Sequence, residues 1–168
     1  DASLGRVADL RDRRTLSAIG SGSYVHYMLF GYERVGEATG LTRLSGRRWF
    51  DEGARYLIAT QAASGAWEKG SFGGVIDTAY AVLFLSRGRA PVVIQKLKFE
   101  GDWNNRTRDA AALTRWLRRQ TERHVNWQIV ELDPANPGET MRDLRQSPIV
   151  YVASDKGLSL TDEQLSLL

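Results

Sequence analysis

The sequence predicts an all-α first half followed by an α/β second half, and two patterns support this fold class. Through the first half, apolar residues recur about every 3.6 positions, which is typical of amphipathic helices. After Pro91, runs rich in β-branched residues alternate with helical segments, which is the pattern of a parallel, doubly wound sheet. The change occurs in the segment SRGRAP, Ser86 to Pro91. We therefore predict two incomplete domains, 1–88 and 89–168.

Three helices are predicted in the first half. The first covers Tyr24 to Thr39 and ends at Gly40, because glycine accepts the left-handed conformation of a helix C-cap. The second runs from about Trp49 to Gln61, and its apolar face consists of Phe50, Ala54, Leu57 and Ile58. The third runs from near Ile76 to Gly88 and is apolar on nearly all sides, so we expect neighbours on both of its flanks.

The second half contains three predicted strands, which are Val92 to Phe99, Val125 to Leu132 and the segment SPIVYVAS. A helix follows the first strand, and its spacing places on one face Leu113, Trp116, Leu117 and Gln120. After the second strand, DPANPGET has the composition of a turn and MRDLRQ that of a short helix. A last helix begins in LTDEQLSLL, where Thr161 and Gln164 have the spacing of a capping box.

Composition and charge exclude several classes of function. The 168 residues include no cysteine, so disulfides, thiolate catalysis and cysteine zinc sites are ruled out for this stretch. No apolar run approaches the roughly 18 residues that span a bilayer. The net charge of +3 comes mostly from arginine clusters such as WLRRQTER, which we interpret as solvated helix faces rather than a nucleic-acid site.

Isolated polar residues give little further indication of chemistry. His26 and His124 lack the neighbouring ligands of a metal site, so we predict no bound metal. The segment GSGS, Gly20 to Ser23, lacks the lysine of a phosphate loop, and we predict no cofactor. Glu33 and Arg34 are interpreted as ordinary solvent-facing charges of the first helix.

The stretch EGARYLIATQAASGAW resembles the QW repeat of the squalene cyclase and protein prenyltransferase α/α-toroid superfamily. The resemblance rests on Gln61, Gly65 and Trp67, and Asp77 opens the segment DTAYAVLFL that looks like the next helix of such a repeat. It implies that the glutamine amide and the indole connect one helix end to its neighbour, and that the first half is part of a toroid. Glycine at position 65 supplies a backbone conformation that other residues avoid.

The catalytic motifs of that superfamily are not part of the resemblance. No DxDD run of the triterpene cyclases is present, and the cysteine of the prenyltransferase zinc site is missing. We therefore interpret Asp77 as a residue of a helix N-terminus, where the helix dipole favours a negative charge, and we predict no catalytic residue in this fragment.

The stretch from Ile94 to Leu132 resembles the start of domain-of-unknown-function family 4159, and SPIVYVASDKGLSLTDEQLSLL resembles its continuation. This bacterial domain often follows toroid-type repeats, and the resemblance implies a glutamine amidotransferase-like, flavodoxin-like fold. It also implies export or association with the bacterial cell envelope, while the residues themselves leave the compartment open.

The loop GDWNN, Gly101 to Asn105, is the candidate ligand site. Ligands of open α/β sheets bind beyond the carboxyl ends of the strands, and this loop leaves the first predicted strand there. A polar ligand could contact the carboxylate of Asp102, the amides of Asn104 and Asn105, and the guanidinium of Arg106. Alternatively, Asp102 or Asn105 caps the next helix while Trp103 packs against the sheet. A second loop, SDKG at Ser154 to Gly157, could line the same crevice.

Two functions remain open at the level of sequence. The first is a non-catalytic binding or scaffold fragment of a bacterial two-domain protein, which recognises a small polar ligand or a protein partner. The second is part of an enzyme that acts on an isoprenoid-like or carbohydrate-like substrate, with its catalytic residues outside this fragment.

Overall fold

The computed structural model describes residues 24–168, and the chain divides into two compact units between Arg89 and Ala90. Among residues 24–89, the first unit contains three helices and a short hairpin in the order α1 Val25–Thr39, β1 Arg43–Leu44, β2 Arg47–Arg48, α2 Trp49–Thr60 and α3 Gly74–Gly88. The predicted first half is therefore helical, as expected. Gly40 caps α1 with φ of 70°, and its N–H donates to the Gly36 carbonyl.

The core of the first unit lies where α1, α2 and α3 meet. Leu29, Leu57 and Phe84 are completely or almost completely buried there. Gly53 lets α2 approach closely, because a Cβ at this position would overlap the ring of Phe84. The predicted apolar face of α2 is correct at Leu57 but wrong at Ile58, which is 72% exposed because it lies on the side of α2 away from this core.

Only one flank of α3 is covered within the described residues. Ala81 and Phe84 pack into the core, whereas Val75, Ile76 and Val82 are exposed. The expectation that both flanks of this helix have neighbours is therefore not met among residues 24–89, where Val75, Ile76 and Val82 remain exposed although α1 and α2 both contact the helix.

The second unit is a three-stranded parallel sheet with helices. Its elements are β3 Val92–Lys98, α4 Asp109–Thr121, β4 Asn126–Glu131, α5 Pro137–Leu144, β5 Val150–Tyr151 and α6 Asp162–Leu165. The strand order is β4-β3-β5, and both neighbours run parallel to β3. The predicted alternation of strands and helices with parallel pairing is confirmed.

The boundaries of two elements differ from the prediction. β5 is limited to Val150 and Tyr151, and Pro148 just before it has no N–H for a sheet ladder. α5 begins at Pro137, inside the segment interpreted as a turn, because proline is favoured in the first helical position. The capping box of α6 is confirmed, since Thr161 Oγ1 accepts from the Gln164 N–H and Gln164 Oε1 accepts from the Thr161 N–H.

Helices pack on both faces of the sheet. On one face, Leu97 and Phe99 of the β3 segment pack with Leu144 of α5 and with Leu167 after α6. On the other face, Ile94 packs with Ala110 of α4. Because successive side chains of a strand point to opposite faces, α4 lies opposite α5 and α6.

The face of α4 on which the sequence places Leu113, Trp116, Leu117 and Gln120 is not the face that packs on the sheet. Leu113, Trp116 and Gln120 are exposed, while Ala110 and Thr114 face the sheet. Small side chains allow α4 to lie close to the large residues Ile94 and Trp127 of the sheet. The more apolar face of the helix therefore points to solvent.

Two buried glutamines attach α5 to the sheet. Gln95 Nε2 donates to the Leu144 carbonyl at 2.7 Å, and Gln128 Nε2 donates to Gln95 Oε1 and to the Asp143 carbonyl. Carbonyls at the end of a helix have no partner inside the helix. The two glutamine amides donate to these carbonyls. The same hydrogen bonds offset the cost of burying the polar amides.

From Tyr24 to the end of the chain, every helix is too short or too polar to cross a bilayer.

Candidate ligand site at the carboxyl edge of the sheet

The candidate site lies where β3 and β5 end. The chain leaves β3 through GDWNN to α4 and β4 on one side, whereas β5 pairs with the other side of β3. The connection from β3 to β4 through α4 and the connection from β4 to β5 through α5 thus run on opposite faces of the sheet. In open parallel sheets, this reversal of strand order opens a crevice beyond the carboxyl ends of the strands.

A buried lysine organises this edge. Lys96 is 1% exposed, and its Nζ donates to Asp109 Oδ1 at 2.8 Å, to the Arg106 carbonyl at 2.7 Å and to Asn104 Oδ1 at 3.1 Å. An ammonium group has three protons to donate, so these contacts use all of them. Lys96 therefore ties the loop after β3 to the first turn of α4.

Asp109 extends the cluster to the third strand. The Tyr151 hydroxyl donates to Asp109 Oδ2 at 3.0 Å, and the Ala110 N–H donates to Asp109 Oδ1. Burial raises the pKa of Asp109, but hydrogen bonds from Lys96, Ala110 and Tyr151 outweigh it and hold that pKa below its ordinary value. Burial and the bond to Asp109 raise the pKa of Tyr151. Near neutral pH, Tyr151 therefore keeps its proton and Asp109 is ionised.

The predicted site residues have different environments. Lys96 Nζ donates to the side chain of Asn104 and to the backbone carbonyl of Arg106. The Asn104 side chain therefore anchors the loop. Asp102 and Arg106 are exposed. The buried Oδ1 of Asn105 has no hydrogen-bond partner among the described residues. The side chains available to a ligand from solution are therefore those of Asp102 and Arg106.

The alternative structural interpretation of the loop is correct in one part and wrong in another. Neither Asp102 nor Asn105 caps α4, because the N-cap is Arg108 and no side chain bonds to the helix end from that position. Trp103 does pack against the sheet, on the cluster that contains Leu97 and Val130.

The second loop at this edge is compact and polar. The Ser154 hydroxyl accepts from the Lys156 N–H at 3.1 Å, which closes a tight turn after β5. Asp155 and Lys156 are exposed. The edge thus presents exposed charges of both signs on two loops that follow adjacent strands.

In the first unit, Trp67 connects two helices. Its indole Nε1 donates to the Leu57 carbonyl in the last turn of α2 at 2.9 Å, and its backbone N–H donates to Thr78 Oγ1 of α3. Gln61 makes a shorter-range contact, because its Nε2 donates to the Gly65 carbonyl within the loop. Gly65 has φ of 85°, a conformation that favours glycine.

Asp77 is completely buried and holds the loop before α3. Its Oδ1 lies 3.1 Å from His26 Nδ1 of α1, and its Oδ2 accepts from the Phe72 N–H. Gly70 passes so close that a Cβ there would overlap the carboxylate. Asp77 lies in the first turn of α3, as expected, but its contacts are specific ones to α1 and to the loop.

We expect Trp67→Phe to lower the free energy of unfolding of the first unit by roughly 1–3 kcal/mol, because the Leu57 carbonyl loses the indole donor and keeps only the longer contact from the Thr60 hydroxyl at 3.4 Å. Gln61→Ala serves as the control, since Gln61 is exposed and its bond stays within the loop. Urea unfolding followed by hydrogen exchange of α2 and α3 measures both variants. A larger loss in Gln61→Ala than in Trp67→Phe would contradict the assignment of the junction to the indole.

Sequence reasoning missed three residues of the cluster at the sheet edge, Lys96, Asp109 and Tyr151. A signal was present in the alternation of β3, where Lys96 shares a face with Ile94, because parallel sheets such as the predicted one are generally buried on both faces. A lysine in such a strand needs a carboxylate partner. Asp109, at the start of the next helix, is an acid at the same carboxyl edge of the sheet and so a candidate for that partner.

Comparison with protein-family models, curated proteins and solved structures gave no match. The resemblances carried by the sequence motifs therefore stay predictions, and the function rests on the geometry of the chain itself.

Proposed function

We propose that this chain is a binding or scaffold fragment of a bacterial two-domain protein and that its second unit recognises a polar ligand without converting it. The observation that carries the proposal is the exposed pair Asp102 and Arg106 on a loop that Lys96 anchors at the strand-order reversal. An anchored loop can bind a ligand with little further loss of conformational freedom.

The topology supports a flavodoxin-like assignment for the second unit. Numbered along the chain, its strands have the order 2-1-3, which is the order in which flavodoxin-like sheets begin. The placement of α4 and α5 on opposite faces is also that of a doubly wound sheet. We propose that 89–168 is the start of such a domain, of the glutamine amidotransferase-like kind.

The helix junction of the first unit supports the toroid assignment. The indole of Trp67 contacts the end of α2, as the QW resemblance implies, while the contact to α3 comes from its backbone N–H and Gln61 bonds only within the loop. We propose that 1–88 is the end of an α/α-toroid repeat domain.

A binding role fits the chemistry of the cluster better than catalysis. Lys96 is unsuited to act as a nucleophile, because its ammonium is buried and donates to three acceptors. The chain has no cysteine to provide the nucleophile of an amidotransferase. Both facts favour recognition by the exposed charges of the loop.

A thermal-melt screen tests the proposal. The full chain is melted with isoprenoids, sugars and nucleotides, and each compound that raises Tm is repeated with Asp102→Ala and Arg106→Ala. These substitutions leave the loop anchors in place, because Lys96 contacts the backbone of Arg106. A ligand at 100 times its Kd stabilises the folded state by about 2.7 kcal/mol, so the shift in Tm should be clear and should disappear in both variants.

The matched controls are Glu163→Ala and Arg145→Ala, which remove exposed charges of the second unit outside the two loops. They should keep the full shift in Tm. If no compound raises Tm, or if the shift survives in Asp102→Ala and Arg106→Ala, the proposed ligand site is wrong.

A further inference from the structure

The outer face of α4 carries a row of unpaired cations. Arg115 and Arg119 are four residues apart in α4, which places them on one side of the helix, and Arg108 is the N-cap residue of the same helix. All three are exposed, and none of their side chains has a hydrogen-bond or ion-pair partner within residues 24–168.

Two large apolar side chains stand beside this row. Trp116 is 55% exposed and Leu113 is 43% exposed, and they are three residues apart on adjacent turns. They belong to the apolar face that the helical spacing of the sequence predicts. The outer surface of α4 therefore combines apolar and positively charged side chains.

The charge of this face is not balanced from within the helix. Asp109 is the acid of α4, and its carboxylate is taken by Lys96 and by the Tyr151 hydroxyl. Arg118, on the sheet side, donates to the Val125 carbonyl and to Asn126 Oδ1. The arginines that remain on the outer face are therefore available to an anionic partner.

We propose that the outer face of α4 binds the surface of an anionic lipid bilayer. Arginines near such a surface are attracted to its negative headgroups, and tryptophan favours the interface between headgroups and acyl chains. The face is the convex side of a single helix, which suits a broad, deformable surface. A nucleic acid would pair with the arginines but would leave Leu113 and Trp116 without an apolar environment.

Vesicle flotation tests the proposal with the full chain. Vesicles of phosphatidylcholine with 30% phosphatidylserine are compared with vesicles of phosphatidylcholine alone. We expect binding to the anionic vesicles only, weakened by high salt. Each arginine contributes roughly a fivefold change in partition, so Arg115→Gln with Arg119→Gln should lower the partition about 25-fold.

Two further variants separate the face from net charge. Arg55→Gln with Arg145→Gln removes the same charge from other exposed positions and should keep binding. Trp116→Ala should lower partition, and brominated lipids should quench tryptophan fluorescence in the wild type more than in Trp116→Phe. Equal losses in the two double variants would overturn the proposal, as would no binding by the wild type. Preferred binding to oligonucleotides that Trp116→Ala leaves unchanged would also overturn it.

Discussion

Replacing Lys96 with methionine is expected to lower the free energy of unfolding of the second unit by about 3 kcal/mol. Methionine fills a similar volume, so the main effect is the loss of the hydrogen bonds from Nζ to Asn104, to the Arg106 carbonyl and to both oxygens of the Asp109 carboxylate. The Asp109 carboxylate, which is 17% exposed, then loses its cation. Removing one partner of a buried ion pair leaves an uncompensated charge, which costs more than the pair contributes.

The matched control is Lys98→Met, two residues further along β3. Its ammonium contacts Glu131 at 2.7 Å, but both side chains are well exposed. Exposed ion pairs contribute about 0–1 kcal/mol, so this variant should change stability little. Urea unfolding with hydrogen exchange resolved by peptide measures the two variants in the second unit separately from the first. Equal losses in Lys96→Met and Lys98→Met would contradict the assigned role of Lys96.

The same substitution should change the response to acid. Because its pKa lies below the ordinary value, Asp109 stabilises the fold at neutral pH, and that contribution is lost as pH falls through the lowered pKa. Lys96→Met removes a main cause of the lowered pKa. The difference in stability between wild type and Lys96→Met should therefore shrink from pH 7 to pH 3.

The cluster also links stability to the proposed function. Asn104 and the Arg106 carbonyl are fixed by Lys96, while Asp102 and the Arg106 side chain extend into solvent from the same loop. Hydrogen exchange of residues 101–108 should accelerate in Lys96→Met more than exchange of β4. A binding loop held by a buried ion pair can be precise in position without being part of the core.

Periodicity predicted which elements form but not which side of each is buried. The strands and helices of the second half follow from runs such as VVIQKLKF, because local sequence determines the pattern of apolar residues. The face of α4 could not be predicted in this way, since Leu113 and Trp116 form the more apolar stripe and yet the sheet accommodates Ala110 and Thr114. That choice depends on how closely the helix approaches Ile94, which is a property of the assembled unit.

Buried charges were predicted least well, because a charged residue within an apolar pattern does not show which distant residue is its partner. Lys96 and Asp109 are 13 residues apart, and only the turn of the chain after β3 brings them into contact. Glu33 was interpreted as a solvent-facing charge beside Arg34, but it is 1% exposed. That prediction is wrong, because Arg34 bonds to Glu37 instead and Glu33 faces inward.

Glu33 has an environment that favours its neutral form. Its Oε2 has no hydrogen-bond partner among the described residues. Burial raises the pKa of Glu33 to about 7, and the hydrogen bond and charge of Glu37, one turn later in α1, act in the same direction. The positive charges of Arg34 and of Arg87 in α3 oppose this effect but are too weak to cancel it.

The wild type is expected to lose stability as pH rises, because Glu33 becomes ionised. Glu33→Gln should not show this loss. In the unfolded chain the carboxyl ionises near its ordinary pKa of 4.5, whereas in the folded state it stays protonated up to about 7. Stability is therefore complete below the unfolded pKa and is lost as pH rises through the folded pKa. The loss amounts to roughly 3 kcal/mol, and a glutamine, which has no charge to gain, should not show it.

The test compares the free energy of unfolding of wild type and Glu33→Gln at pH 5 and at pH 8. The glutamine variant should gain on the wild type by about 2 kcal/mol between the two pH values. Glu68→Gln, in an exposed loop position, is the control and should show no such gain. If the difference between wild type and Glu33→Gln is the same at both pH values, Glu33 ionises normally in the folded state. In that case the positive charges of Arg34 and Arg87 offset the cost of burying the ionised Glu33 carboxylate. Arg87→Gln would then cause a large loss in the free energy of unfolding at pH 8.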